Sequence, residues 1–246
     1  MTEKRDFASV VDNAFGRYRT IIDDWDAFVH ALESPLPYCF RTNTQRIDVA
    51  TLQSWYEQQH ITVQPIDWYP GAFRFTPPIP EAPGRLLPHK AGWCHIQEEA
   101  SLLPVYLLRP QAGERVLDCC AAPGGKTAQM ALSMKNQGTI IANDRSTKRM
   151  RALRSILERL GILNVAATAY DASRLPQDIN HFDRILCDAP CSCEGTSRKN
   201  RSHLTRKKPT AYREWARVQQ AILQRACALL KPGGTLVYSS CTYAPY

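Results

Sequence analysis

No stretch of this 246-residue chain approaches the roughly 18–20 consecutive apolar residues that a membrane span needs. The first residues, Met1-Thr-Glu-Lys-Arg-Asp6, are charged and lead into no apolar core of a secretory signal. There is no cysteine framework either. The nine cysteines are odd in number, scattered and partly adjacent (Cys119, Cys120), which argues for reduced thiols in a cytoplasmic protein. Metal motifs are also missing: Cys191-x-Cys193 has no second ligand pair at usable spacing, so no metal is expected. Acids are in short supply, 23 against 31 Lys and Arg, for a net charge of +8. That balance suits a polyanionic partner such as nucleic acid, with a merely solubilising basic surface as the alternative.

What is present points to an α/β protein. Residues 5–33 carry apolar positions at helical spacing, as in one or two amphipathic helices. The segments 38–44 and 61–66 read as strands flanking a helix from Val49 to His60, giving a small β-α-β module. Five prolines between Thr76 and Pro88 read as a linker, so the expected division is 1–35 (helices), 36–88 (small α+β module) and 89–246 (main domain). From Ile96 to Leu108 the pattern is helical, and strand–helix pairs follow. Strands are expected at 115–118, 138–144, 164–169, 182–188 and 235–240, with helices at 127–132, 147–160 and 211–230. Such alternation implies a parallel, doubly wound sheet.

The run Val116-Leu-Asp-Cys-Cys-Ala-Ala-Pro-Gly-Gly-Lys-Thr127 is strand, glycine turn and helix start. It is not a phosphate-binding P-loop, because that motif needs glycine where Cys120 stands, and it is not G-x-G-x-x-G. A glycine pair lets backbone press against a ligand. Asp144, Asp171 and Asp188 stand at the ends of successive strands. An acid about 20 residues past the turn suits ribose hydroxyls, and one after the third strand can meet an adenine amino group, although Asp171 could equally be a helix N-cap. Together they describe an adenosyl pocket. S-adenosylmethionine fits it better than a dinucleotide, since nothing is shaped for a pyrophosphate.

Asp188-Ala-Pro-Cys191 and Ser240-Cys241-Thr242 follow two strands expected to be neighbours, so their cysteines should converge. Cys187 and Cys227 lie inside apolar runs and read as buried structural thiols. Converging thiols make chemical sense for a pyrimidine: carbon 5 of cytosine is a weak nucleophile until a thiolate adds to carbon 6. The thiolate needs an electropositive setting, which Lys126 and nearby basic residues could supply, and Asp188 could stabilise the adduct through the N3/N4 edge. The residues alone leave open which cysteine attacks. Arg198, Lys199, Arg201, Arg206, Lys207, Lys208 and Arg213, in a run without acids, could clamp a phosphate backbone.

These motifs resemble the RNA 5-methylcytosine methyltransferases of the Nol/Nop/Sun type, and the RsmB/RsmF-like ribosomal RNA enzymes most of all. The resemblance spans roughly residues 36–246, with Phe40-Arg-Thr-Asn43 and Trp93-Cys-His-Ile-Gln-Glu-Glu-Ala100 similar to the family's N-terminal RNA-binding module and following helix. It implies a Rossmann-like methyltransferase sheet and an S-adenosylmethionine site built from Cys120, Ala121, Ala122, Pro123, Gly124, Gly125, Lys126, Asp144, Asp171 and Asp188. It makes Cys241 the nucleophile and Cys191 the cysteine that assists product release, with rRNA the expected substrate. That family's sheet continues past Ser-Cys-Thr, so its last two strands are expected to be missing here. Three other readings are a catalytically silent RNA-binding homologue, a tRNA enzyme and a DNA cytosine methyltransferase.

Overall fold

The computed structural model describes residues 6–177, 181–205 and 207–244. Two helices come first, α1 (Phe7–Phe15) and α2 (Trp25–Glu33), the second opened by Asp24, which accepts the Ala27 N–H at 2.8 Å. Then come β1 (Cys39–Thr42), α3 (Val49–Gln58), β2 (Val63–Pro65), β3 (Ala72–Phe75), a single turn α4 (Leu87–Lys90) and β4 (Cys94–Ile96). The alternating part follows: α5 (Leu103–Leu108), β5 (Arg115–Asp118), α6 (Gly125–Ser133), β6 (Thr139–Asn143), α7 (Thr147–Leu160), β7 (Val165–Thr168), β8 (Phe182–Asp188), α8 (Pro209–Leu229) and β9 (Leu230–Ser239). The chain divides into two compact units. One takes Met1–Leu36, Pro190–Gln220 and Ser240–Tyr246, and the other Pro37–Ala189 and Ala221–Ser239.

The larger unit holds both sheets. The five parallel strands are ordered β7-β6-β5-β8-β9, so chain direction along the sheet reverses between β5 and β8. Open α/β sheets bind ligands at the carboxyl ends of the strands beside such a switch. Alternation sorts the strand residues between two cores. Val116, Ile140, Ala142 and Leu186 face a cluster completed by α6 and α7, while Leu117, Ile185 and Cys187 face one completed by Ile222, Ala226 and Leu229 of α8. α7 forms where expected because Met150, Leu153, Leu157 and Leu160 make one buried stripe. Ser146 caps its start, and Gly161, at φ 70°, ends it in a conformation glycine tolerates best.

Five expectations change. The small module is no β-α-β unit: β1 and β2 are separated by β3 in an antiparallel sheet ordered β2-β3-β1-β4. The proline-rich stretch lies inside this module, since β4 follows it and pairs with β1. The helix expected over Ile96–Leu108 starts at Leu103; Ile96 closes β4 and Glu99–Leu102 is a 3₁₀ turn. Lys231-Pro-Gly-Gly234 lies within β9 as a bulge. Leu230 pairs with Phe182 and Thr235 with Arg184, and Lys231 Nζ is 2.6 Å from Asp183 Oδ1. Finally, Cys187 is buried as expected, but Cys227 is exposed, because α8 turns that side of its final turns outward.

Candidate active site

The glycine turn after β5 is held from three sides. Ala121 N–H donates to Asn143 O at 2.7 Å, and the buried Asn143 amide donates to Cys119 O and Tyr170 O, both at 3.1 Å. Ala122 N–H donates to Asp144 Oδ2 at 3.2 Å, while Ala122 O accepts from Arg149. Pro123 enters the turn through a cis peptide bond. Gly124 sits at φ 113°, where side chains strain, and a Cβ there would stand 3.0 Å from Leu153 Cα. A Cβ on Gly125 would meet His95 Nε2 at 3.3 Å. The missing Cβ atoms therefore also admit protein neighbours.

The acids differ sharply in setting. Asp144, almost wholly buried, accepts from Ser146 N at 2.9 Å through Oδ1, and its Oδ2 takes Ala122 N and an ion pair with Arg149 at 3.2 Å. Asp171 is engaged locally through one oxygen: its Oδ1 caps a 3₁₀ turn through Ser173 N at 3.0 Å and Ser173 Oγ at 2.7 Å, which holds its carboxyl below the usual range. Asp188 is bound on both oxygens, by Lys126 Nζ at 2.8 Å and Ser239 Oγ at 2.7 Å. Lys126 thus pairs with a carboxylate. Cys120 is half-buried, and burial pushes its thiol up.

One acid was not singled out from the sequence. Asp118 ends β5 fully buried; burial raises its carboxyl to about 7, against the opposing hydrogen bond from Thr127 Oγ1 at 2.7 Å. Its Oδ1 has no partner among the described residues. The available signal was its place, the last residue of a central strand before a glycine turn.

The thiols belong to the smaller unit. Cys191 Sγ and Cys241 Sγ are 3.2 Å apart, as expected from strand order, since β8 and β9 are parallel neighbours. Cys193 joins them, and the three Sγ atoms lie within 4.8 Å of one another. S–H donation from Cys193 and Cys241 stabilises a negative charge on Cys191 and holds that thiol well below its usual range, while the same contacts push Cys241 up. The two cysteine segments are stapled by Gly195 N–H to Cys241 O at 2.8 Å and by a Ser192–Thr242 hydroxyl contact at 2.6 Å.

Beneath this staple lies Glu194, fully buried, which sequence reasoning passed over. It accepts from Tyr212 OH at 2.6 Å, Tyr18 OH at 3.0 Å, Thr242 Oγ1 at 3.2 Å and Tyr243 N at 3.3 Å, and pairs with Arg17. Burial pushes this carboxyl up, but the tyrosine hydroxyls and Arg17 more than offset it, leaving Glu194 below the usual range. Tyr243 packs edge-on against Phe15, Tyr18 and Phe28, with ring centroids 5.6, 6.3 and 5.7 Å away. The first two helices therefore anchor the segment that carries Cys241.

The basic run divides. Arg201 donates to Leu32 O at 2.7 Å and Glu33 O at 2.8 Å, and Arg198 to Ser34 O at 3.0 Å and Pro35 O at 3.2 Å, so both cap the last turn of α2. These two were expected to grip RNA; their donors are aimed at carbonyls instead. Lys199, Lys208 and Arg213 are exposed and Lys207 half-buried, while Arg206 lies outside the described residues.

A parallel sheet with this strand order, a glycine turn after its central strand and acids at the ends of the flanking strands defines a Rossmann-like methyltransferase. The chain belongs to the RsmB/F family of 16S rRNA methyltransferases, whose pattern matches residues 105–246; the N-terminal domain of 16S rRNA methyltransferase RsmF matches residues 14–99. It is 38% identical over 220 residues to the ribosomal RNA small subunit methyltransferase F of Shewanella amazonensis, covering 88% of this chain and 47% of that protein. The chain thus spans about half the length of the relatives it matches. A methyltransferase homologue from Pyrococcus horikoshii superposes with a TM-score of 0.81 at 33% identity, covering 97% of this chain and 73% of that one. NSun6 from Pyrococcus horikoshii, solved with SFG, gives a TM-score of 0.81 at 22% identity over 98% of this chain and 83% of its own, a likeness of fold.

Proposed function

We propose that this chain transfers a methyl group from S-adenosylmethionine to carbon 5 of a cytosine in ribosomal RNA, through a covalent adduct with Cys241. The observation that carries the reading is the 3.2 Å approach of Cys191 and Cys241. The cofactor fits the residues present. An orphaned carboxyl oxygen of Asp118 stands beside the turn, the backbone N–H groups opening α6 favour a carboxylate, and Asp144 and Asp171 end the next strands. When bound, S-adenosylmethionine supplies an electrophilic methyl on a positively charged sulfur.

The chain's own residues do the rest. The base is unstacked from the RNA before a thiol can reach carbon 6. Cys241 gives up its thiol proton to solvent as its sulfur bonds to carbon 6, which makes carbon 5 nucleophilic. Asp188, oriented by Lys126 and Ser239, binds the N3/N4 edge. After transfer, the carbon 5 proton leaves to solvent, the carbon 6–sulfur bond breaks to restore the ring double bond, and Cys191, 3.2 Å away, assists departure of the Cys241 sulfur. Lys199, Lys207 and Lys208 contact phosphates. Methyl transfer to 16S rRNA should vanish in Cys241→Ala, and Cys191→Ala should accumulate a protein–RNA adduct visible on denaturing gels. Residual transfer by Cys241→Ala would overturn the assignment.

A further inference from the structure

We infer that Cys191, Cys193 and Cys241 form a binding site for a thiophilic divalent cation, Zn²⁺ in the first instance. The pair Cys191-x-Cys193 lacks a second pair in sequence, but the fold brings in a ligand from fifty residues away. All three Sγ atoms lie within 4.8 Å of one another. Tetrahedral zinc with bonds near 2.3 Å sets its sulfurs about 3.8 Å apart, so the 3.2 Å between Cys191 and Cys241 need open by only about half an ångström.

Two further features support a metal rather than a chance gathering. Cys193 is held at φ 59°, in the left-handed region that side chains rarely adopt. That turn directs its sulfur back over its own loop, with Sγ 3.6 Å from Cys191 O. The loop is pinned from below by Glu194, so the thiols are gathered before any ion arrives. Three protein ligands leave the fourth position to water, and binding is written M²⁺ + 3 RSH → M(SR)₃⁻ + 3 H⁺.

This consumes the sulfurs of the proposed nucleophile and its partner. Metal binding and covalent catalysis therefore exclude each other, a consequence that rests on the proposed function, whereas the site itself does not. Titration of the reduced chain with Cd²⁺ should give one thiolate-to-metal charge-transfer band in the ultraviolet that saturates at one equivalent and is displaced by Zn²⁺. Cys193→Ser should weaken Cd²⁺ binding at least ten-fold, and Cys227→Ser should leave it unchanged. A missing band, equal affinity in wild type and Cys193→Ser, or a band that survives the Cys191→Ser/Cys241→Ser double variant would overturn the site. Loss of methyl transfer in metal-free wild type would instead count against the proposed function and leave the absorbance result intact.

Discussion

Replacing Glu194 with glutamine keeps the shape of the side chain and removes its charge. The carboxylate is fully buried and serves Arg17, two tyrosine hydroxyls, Thr242 Oγ1 and Tyr243 N. The hydroxyls can rotate to accept from a new amide, but the Tyr243 N–H and the Arg17 guanidinium can only donate. Removing one partner of a buried ion pair costs about 3–5 kcal/mol. Arg17 is 31% exposed and can recover some hydration, which places the loss near the lower bound, about 3 kcal/mol. That is a large share of the roughly 5–15 kcal/mol that holds a domain folded. In urea melts, the midpoint should fall by about 1 M or more. The acid also grips the two residues after Cys241, so Cys191 and Cys241 should lose their register, and methyl transfer should drop at least ten-fold. The pH dependence carries a sign. Glu194 is held below its usual range, so its contribution is present above the ordinary glutamate pKa and lost as pH falls through the folded value; the variant should lack that loss. A midpoint shift under about 0.3 M, with undiminished transfer, would refute the reasoning.

Asp118→Asn should flatten another pH dependence. Its folded pKa of about 7 lies above the unfolded value, so its contribution is full in acid and fades as pH rises toward 7. The variant should therefore gain on wild type between about pH 4 and 7, by at most about 4 kcal/mol in denaturant titrations; a constant difference would rule the shift out. His95, depressed to about 2 by burial and then by Arg41 and Arg159, works in the opposite sense: stability should fall as pH drops below about 6.5, and His95→Gln should reduce that slope. Gly124→Ala, with φ 113° and Leu153 Cα 3.0 Å from the added methyl, should cost at least about 1–2 kcal/mol and weaken S-adenosylmethionine binding in calorimetry. Arg201→Ala should lower the melting temperature by loosening α2 while changing the salt slope of RNA binding little; a Lys199→Ala/Lys208→Ala pair should do the reverse.

The sequence by itself determined the parts governed by local pattern. The stripe of α7, the alternation along β5 and β8, the glycine turn and the acids after the strands are all written in neighbouring residues. Strand order also made the meeting of Cys191 and Cys241 foreseeable, since residues following adjacent parallel strands emerge together. Tertiary structure decided what depends on residues far apart in the chain. The antiparallel module needed β3 and β4, four-residue and three-residue strands too short to carry a period of their own. Arg198 and Arg201 read as a basic run until α2 presented its carbonyls to them. Glu194 carries no signal in its neighbours; its burial rests on Arg17, Tyr18, Tyr212 and Tyr243, which surround it only in the fold. No local pattern encodes such partners, because a buried charge is satisfied by whatever donors the fold delivers, and those donors come from both ends of the chain.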